Sequence, residues 1–145
     1  MKKVFFVLLA VAALSSVGII FSPIAQAVEN VSGAHVVAYY FHGQMRCPTC
    51  HKLEQYSKEA IEINFKDELT SGKLEFKVVN VENSGNEHYG KDYQLYTKSL
   101  ILSLVKDGKE IKWKNMDKIW EYVSNKKRFV DYVKSGVADL LKEAQ

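Results

Sequence analysis

Two cysteines, Cys47 and Cys50, stand two residues apart in "HGQMRCPTCHKLE", residues 42–54, and the chain has no others. Three kinds of chemistry fit such a pair: reversible disulfide exchange, metal ligation, or an inert cross-link. Exchange proceeds through a thiolate, so the surroundings of the attacking sulfur must favour negative charge. Pro48 suits the first position of a helix, where it has no N–H to lose and its fixed φ is already helical. Cys47 then stands at a helix start, with unpaired backbone N–H groups and the helix dipole facing its sulfur. Arg46 adds positive charge beside it, and His51 contributes when protonated. Cys50 falls one turn further on, on the same side and within disulfide range, so an attacking and a resolving thiol share one rigid unit.

The inert reading is weakened by loop size, because a bond closing so short a loop constrains the unfolded chain little. Inert bonds in small domains also tend to come several together. Here one pair stands alone in a chain that is 47% hydrophobic and 12% aromatic, enough to build a core. The metal reading draws on His42, His51 and Met45, since two thiolates and an imidazole satisfy copper or zinc. Yet His51 directly follows Cys50 and should point around the helix, while His42 belongs to a strand end. A closed zinc site normally has four well-placed ligands, and no metal is assigned. His35 and His88 lie near segment ends without ligand spacing and are left unassigned.

The elements that must hold this pair can be read from periodicity. "HVVAYYFHG" is dense in β-branched and aromatic residues and ends at Gly43, as a first strand would. After "QMRCPTC" the period changes: Leu53, Tyr56, Ala60 and Ile63 recur at helical spacing, with lysines and glutamates between them facing water. This predicts a helix from near Cys47 or Pro48 into the sixties, punctuated by "TSG" at 70–72. "KLEFKVVNVE" reads as a second strand, "EHYGKDYQLY" as a weaker helical segment, and "SLILSLV" as a third strand. A turn centred on Asp107 and Gly108 leads into "EIKWKN", a short fourth strand. Met116, Ile119, Trp120 and Val123 share one helical face, and Phe129, Val133, Val137 and Leu140 another, with a break near "SNKK". Helices linking the first strands imply parallel crossovers, and the tight turn implies an antiparallel hairpin. The expected fold class is therefore α/β, a mixed central sheet with helices on both faces. Tyr39, Tyr40 and Phe41 are expected in core and rim, and Trp113 and Trp120 over a sheet edge or a partner surface.

Lys2 and Lys3 precede the apolar run "VFFVLLAVAALSSVGIIF", and "AQA" at 25–27 offers a signal-peptidase site. The expectation is a signal peptide or N-terminal anchor over 1–27 and one domain over 28–145. The protein would be exported and extracytoplasmic, either secreted or tethered to the membrane through residues 4–21. The formal charge of +3 falls close to neutrality without the two leading lysines. That leaves no concentrated basic surface, and nucleic-acid binding is not expected.

The strand "VVAYYFHG", the motif "CPTC", the helix after it and the later "SLILSLVKDGKE" together resemble a thioredoxin-like domain. Within that superfamily "YYFHGQMRCPTCHKLE", "KDYQLYTKS" and "WKNMDKIWEYV" are similar to the exported family labelled nitrophenyl compound nitroreductase subunit ArsF. The resemblance implies that Cys47 is the exposed nucleophile and Cys50 the buried resolver. The supporting groups Arg46, Pro48, His42 and His51 come from the residues around the pair, and Arg46 before Cys47 and Pro-Thr between the cysteines depart from the thioredoxin pattern. It also directs attention to the place where thioredoxin-like proteins carry a cis-proline facing the disulfide. That place falls near Ser99 or Leu100, and no proline follows Pro48. A trans bond is expected there, because a cis bond without proline costs about 2.5–4 kcal/mol. The strand also lacks the buried carboxylate of some thioredoxins, leaving His42 as its nearest ionisable group. No flavin or nicotinamide pattern is present, so no cofactor is expected beyond the redox-active disulfide. The function implied is an exported thiol:disulfide oxidoreductase or electron-transfer protein acting on an unidentified protein dithiol or disulfide. The alternatives are a thiol-based copper or zinc handling protein and a noncatalytic partner-binding subunit.

Overall fold

The change of period on either side of Cys-Pro-Thr-Cys is a strand-to-helix junction in the computed structural model, which describes residues 33–145. Strand β1 spans Ala34–His42 and helix α1 spans Pro48–Asn64. There follow α2 (Lys66–Thr70), β2 (Leu74–Asn80), α3 (His88–Asp92), β3 (Ser99–Lys106), β4 (Lys109–Asn115), α4 (Ile119–Tyr122) and α5 (Lys126–Glu143). The four strands form one mixed sheet in the order β2-β1-β3-β4. β1 runs parallel to β2 and antiparallel to β3, and β3 is antiparallel to β4.

Strand composition follows position in this order. β1 and β3 are central and covered on both faces, which is why "VVAYYF" and "SLILSL" read as nearly continuous apolar runs. The edge strands carry the charges: Glu75 and Lys77 on β2, and Lys109, Lys112 and Lys114 on β4. Charged edges discourage pairing with another chain. On one face Val36, Ala38 and Tyr40 of β1 and Leu100, Leu102 and Leu104 of β3 pack against Leu53, Ala60 and Ile61 of α1 and Phe129, Val133 and Val137 of α5. On the other face Phe41 and Ile101 meet Tyr93, with Tyr39, Tyr89, Leu95 and Trp113 around them.

Two expectations change. Only the β1–β2 connection is a parallel crossover. The segment between β2 and β3 contains a helix of only five residues; at 1.5 Å per residue it cannot carry the chain back along the sheet. β3 therefore starts at the end where β2 stops, with Ser99 opposite Phe41, and runs antiparallel to β1. The first helix is also interrupted. Phe65, at φ −135° and ψ 41°, turns its buried ring into the core and separates α1 from α2.

A third expectation, membrane anchoring through residues 4–21 and with it the exported or tethered location, is corrected. Among the described residues no helix is long and apolar enough to cross a membrane. Even α5, at 18 residues, carries charge along its length, from Lys126 and Arg128 to Asp139 and Glu143. Residues 4–21, and the proposed leader 1–27 to which they belong, lie outside the described residues.

The hairpin turn behaves as its residues dictate. Asp107 and Gly108 both take positive φ, 51° and 73°, the pairing a two-residue hairpin of the I′ type needs. A side-chain carbon added at Gly108 would meet nothing within 4 Å, so substitution there tests backbone conformation alone. Gly108→Ala is expected to cost about 1–2 kcal/mol, read as a lower urea midpoint at unchanged slope. A loss of only a few tenths would mean that the turn does not hold this conformation in solution.

Candidate functional site

Cys47 caps α1. Its backbone is extended, at φ −88° and ψ 164°, while its Sγ accepts the N–H of Cys50 at 3.2 Å. Pro48 occupies the first turn, as its missing N–H allows. Cys47 and Cys50 form a disulfide, with their Cα atoms 5.0 Å apart. The two ends of that bond differ sharply in access. Cys47 is exposed, whereas Cys50 is only 3% exposed. Beneath them, Tyr40 of β1 is fully buried and its hydroxyl donates to the Cys50 carbonyl at 2.8 Å. Burial pushes the Tyr40 phenol well above its ordinary value, against the opposing influence of Arg46, so it remains a neutral donor.

The disulfide lies in an open groove of about 300 Å³ lined by Met45, Arg46, Cys47, Cys50, Thr97, Lys98 and Trp120. Thr97 and Lys98 come from the segment leading into β3, at the place where the sequence resemblance looked for a proline. All peptide bonds among the described residues are trans. The indole N–H of Trp120 donates to the Lys98 carbonyl at 2.9 Å, tying α4 to that segment. Met45 is 83% exposed and Tyr96 95% exposed, so large apolar side chains stand at the rim and beside it.

The supporting residues divide. Arg46 lines the groove, but its guanidinium is engaged by the Glu54 carboxylate, both side chains being about three-quarters buried. His42 does not reach the groove. Its Nδ1–H donates to the Gly43 carbonyl at 2.9 Å, and it lines a neighbouring cleft of about 180 Å³ with Glu82 and Leu95. His51 is exposed on α1 and does not line the groove. Among the described residues no three of the His, Cys, Asp and Glu side chains gather as a metal site would require. The copper or zinc donor set of His42, His51 and the two cysteines is thus not brought together.

Sequence reasoning missed Glu54, the hydroxyl of Tyr40 and the Trp120–Lys98 link. Glu54 had a local signal: four residues after Cys50, it lies on the same side of the helix.

Taken together, the strand order, the parallel β1–β2 pair and a Cys-x-x-Cys disulfide at the head of the helix after β1 define a thioredoxin-like α/β fold. No protein-family model and no curated protein matches the chain. Among solved structures it is similar to a thioredoxin of Fasciola hepatica, at 17% identity over 77% of this chain and 82% of that one, with a TM-score of 0.42. It is also similar to thioredoxin O2 of Arabidopsis thaliana in the oxidised state, at 14% identity over 68% and 76% of the chains and a TM-score of 0.39. A thioredoxin of Trypanosoma brucei brucei matches at 16% identity over 69% and 78%, with a TM-score of 0.37.

Proposed function

We propose that this domain is a thiol:disulfide oxidoreductase or electron-transfer protein that works through Cys47 and Cys50 on a dithiol or disulfide of a protein partner. The observation that carries the reading is the inequality of the two sulfurs, one exposed at a helix cap and one buried behind it. In the oxidising direction a partner thiolate attacks the Cys47 sulfur. A bond between partner and Cys47 forms, the Cys47–Cys50 bond breaks, and Cys50 leaves as a thiolate that takes up a proton. A second partner thiolate then attacks the partner's own sulfur in the mixed disulfide. The partner leaves as a disulfide, and this domain is left as a dithiol, two electrons richer. The reducing direction runs the same steps backwards, with Cys47 attacking and Cys50 releasing.

The narrower resemblance to the nitrophenyl compound nitroreductase subunit ArsF family, carried by "YYFHGQMRCPTCHKLE", supports the same thiol pair. The proposal takes the thiol chemistry from it and no nitroaryl substrate.

Equilibration with glutathione buffers, followed by acid quench and mass measurement, tests the reading against an inert cross-link. One two-electron transition is expected, at a potential above about −300 mV, because structural disulfides lie below that value. A disulfide that stays intact across the whole glutathione series would overturn it.

A further inference from the structure

Arg46 stands next to Cys47 in sequence and lines the groove that holds both sulfurs, yet its Nη2 donates to Glu54 and not to the sulfur. Its Nε, buried among the described residues, has no hydrogen-bond partner. A guanidinium carries five N–H donors in a rigid fork. This one is held by a carboxylate on one side while a buried donor remains unsatisfied. Buried donors without partners are uncommon and call for a reason. The carboxylate comes from α1, the helix that carries Cys50, one turn beyond it.

We propose that Glu54 is a positioning residue of the redox site: its grip on Arg46 sets how much of that positive charge reaches the Cys47 thiolate once the disulfide is reduced. In the oxidised state neither sulfur is charged, and the Arg46–Glu54 pair is the stable arrangement. Reduction places a negative charge on Cys47 beside a guanidinium that the carboxylate already neutralises, and the two anions then compete for one cation. The other groups the structure places beside this loop are Tyr40 from β1, Glu82 from the segment after β2, which accepts the Gln44 N–H, and Lys98 before β3, while His42 and His51 flank the loop in sequence and do not line the groove. α4 contributes Trp120, which does not titrate. Lys98 is the other basic residue lining the groove, but it comes from the segment before β3 and not from the loop that carries Cys47. Arg46 is therefore the cation whose availability a carboxylate of α1 controls.

The inference rests on the redox reading above, and its test is separable from that reading. Dithiothreitol produces the dithiol whether or not a partner exchanges with it, and the pH dependence of Cys47 alkylation by iodoacetamide then gives its midpoint. Glu54→Gln frees Arg46 and is expected to lower that midpoint by about one pH unit, as an opposite charge nearby does. In an Arg46→Gln background the same Glu54 change is expected to shift the midpoint by less than half as much, because no guanidinium remains to release. Glu54→Asp keeps the negative charge but withdraws it by one methylene. It is expected to fall between wild type and Glu54→Gln, and this comparison does not depend on the Arg46 variant folding. A midpoint that is unmoved or raised in Glu54→Gln, that drops equally in both backgrounds, or that is the same in Glu54→Asp as in wild type overturns the proposal. A normal set of shifts in a protein that fails to exchange with glutathione would sink the redox reading alone. Normal exchange without the shifts would sink this inference alone.

Discussion

In the reduced domain at pH 7, Cys47 is expected to be alkylated at least about tenfold faster than Cys50. Two physical effects act in the same direction. The first is access, since Cys47 is exposed and Cys50 is only 3% exposed. The second is charge: an N-cap sulfur faces the positive end of the helix dipole, and the Cys50 N–H already points at it, 3.2 Å away. A thiol at the ordinary value of about 8.5 is only about 3% thiolate at pH 7, so any lowering raises the reactive fraction. Burial works oppositely on Cys50, which favours its neutral form. Cys47→Ser should consequently abolish mixed-disulfide formation with a disulfide probe such as oxidised glutathione, in which the Cys47 thiolate attacks one sulfur and the other leaves as glutathione thiolate. Cys50→Ser should leave the first attack intact and let the mixed disulfide accumulate, because nothing is left to resolve it. Mass spectrometry after acid trapping reads both. If Cys50 is modified first across the pH range, or if Cys50→Ser fails to accumulate the adduct while Cys47→Ser does, the roles of attacker and resolver are reversed.

The parts of this site that a reader of the sequence could find are those encoded within one turn of chain. Pro48 announces the helix start, and with it the cap position of Cys47 and the distance to Cys50. The central place of β3 is equally plain, because a run such as "SLILSLV" has no polar alternation and needs cover on both faces. The Asp107-Gly108 turn is written in residues that tolerate positive φ. All of these follow from local sterics.

What escaped depends on distant partners. The direction of β3 is set by how far the chain between β2 and β3 travels, and the pattern of "EHYGKDYQLY" does not announce that its helix stops after five residues. The break at Phe65 has no glycine or proline to mark it. It exists because a buried aromatic ring is better placed in the core than along the helix axis. Glu54 reads as one of the solvated charges of α1, and only the folded loop brings Arg46, eight residues earlier, against it. Trp120 and Lys98, separated by 22 positions, meet for the same reason. Arg46 is legible as a positive charge beside Cys47, and the carboxylate it meets, Glu54, lies beyond the first turn of the helix.

The helix that presents the disulfide is itself held by α5, and Phe129→Ala is expected to be the most damaging substitution outside the site. Phe129 is fully buried, follows the Asn125 cap that accepts the Arg128 N–H at 3.1 Å, and meets Tyr56 of α1 edge-on with ring centres 5.6 Å apart. Truncating a buried phenylalanine removes its transfer free energy and leaves a cavity, together about 3–5 kcal/mol. Against a typical domain stability of about 5–15 kcal/mol this is a large fraction, and near this chain length it corresponds to a fall of roughly 10–20 °C in Tm. The urea slope should stay the same while the midpoint drops, since the change removes packing and not surface exposed on unfolding. Ile63→Ala provides the contrast: Ile63 is on α1 but 75% exposed, so its loss should stay within about 0.5 kcal/mol. In the fraction of Phe129→Ala molecules that remain folded, Cys47 should alkylate at its normal rate, because its cap is made between Cys47 and Cys50 in the first turn of α1, whereas Phe129 meets α1 further along, at Tyr56. A loss below about 1 kcal/mol would show that α5 does not pin α1 through this ring. An altered Cys47 rate in the folded fraction would show instead that the packing of α1 on α5 reaches the chemistry of its first turn.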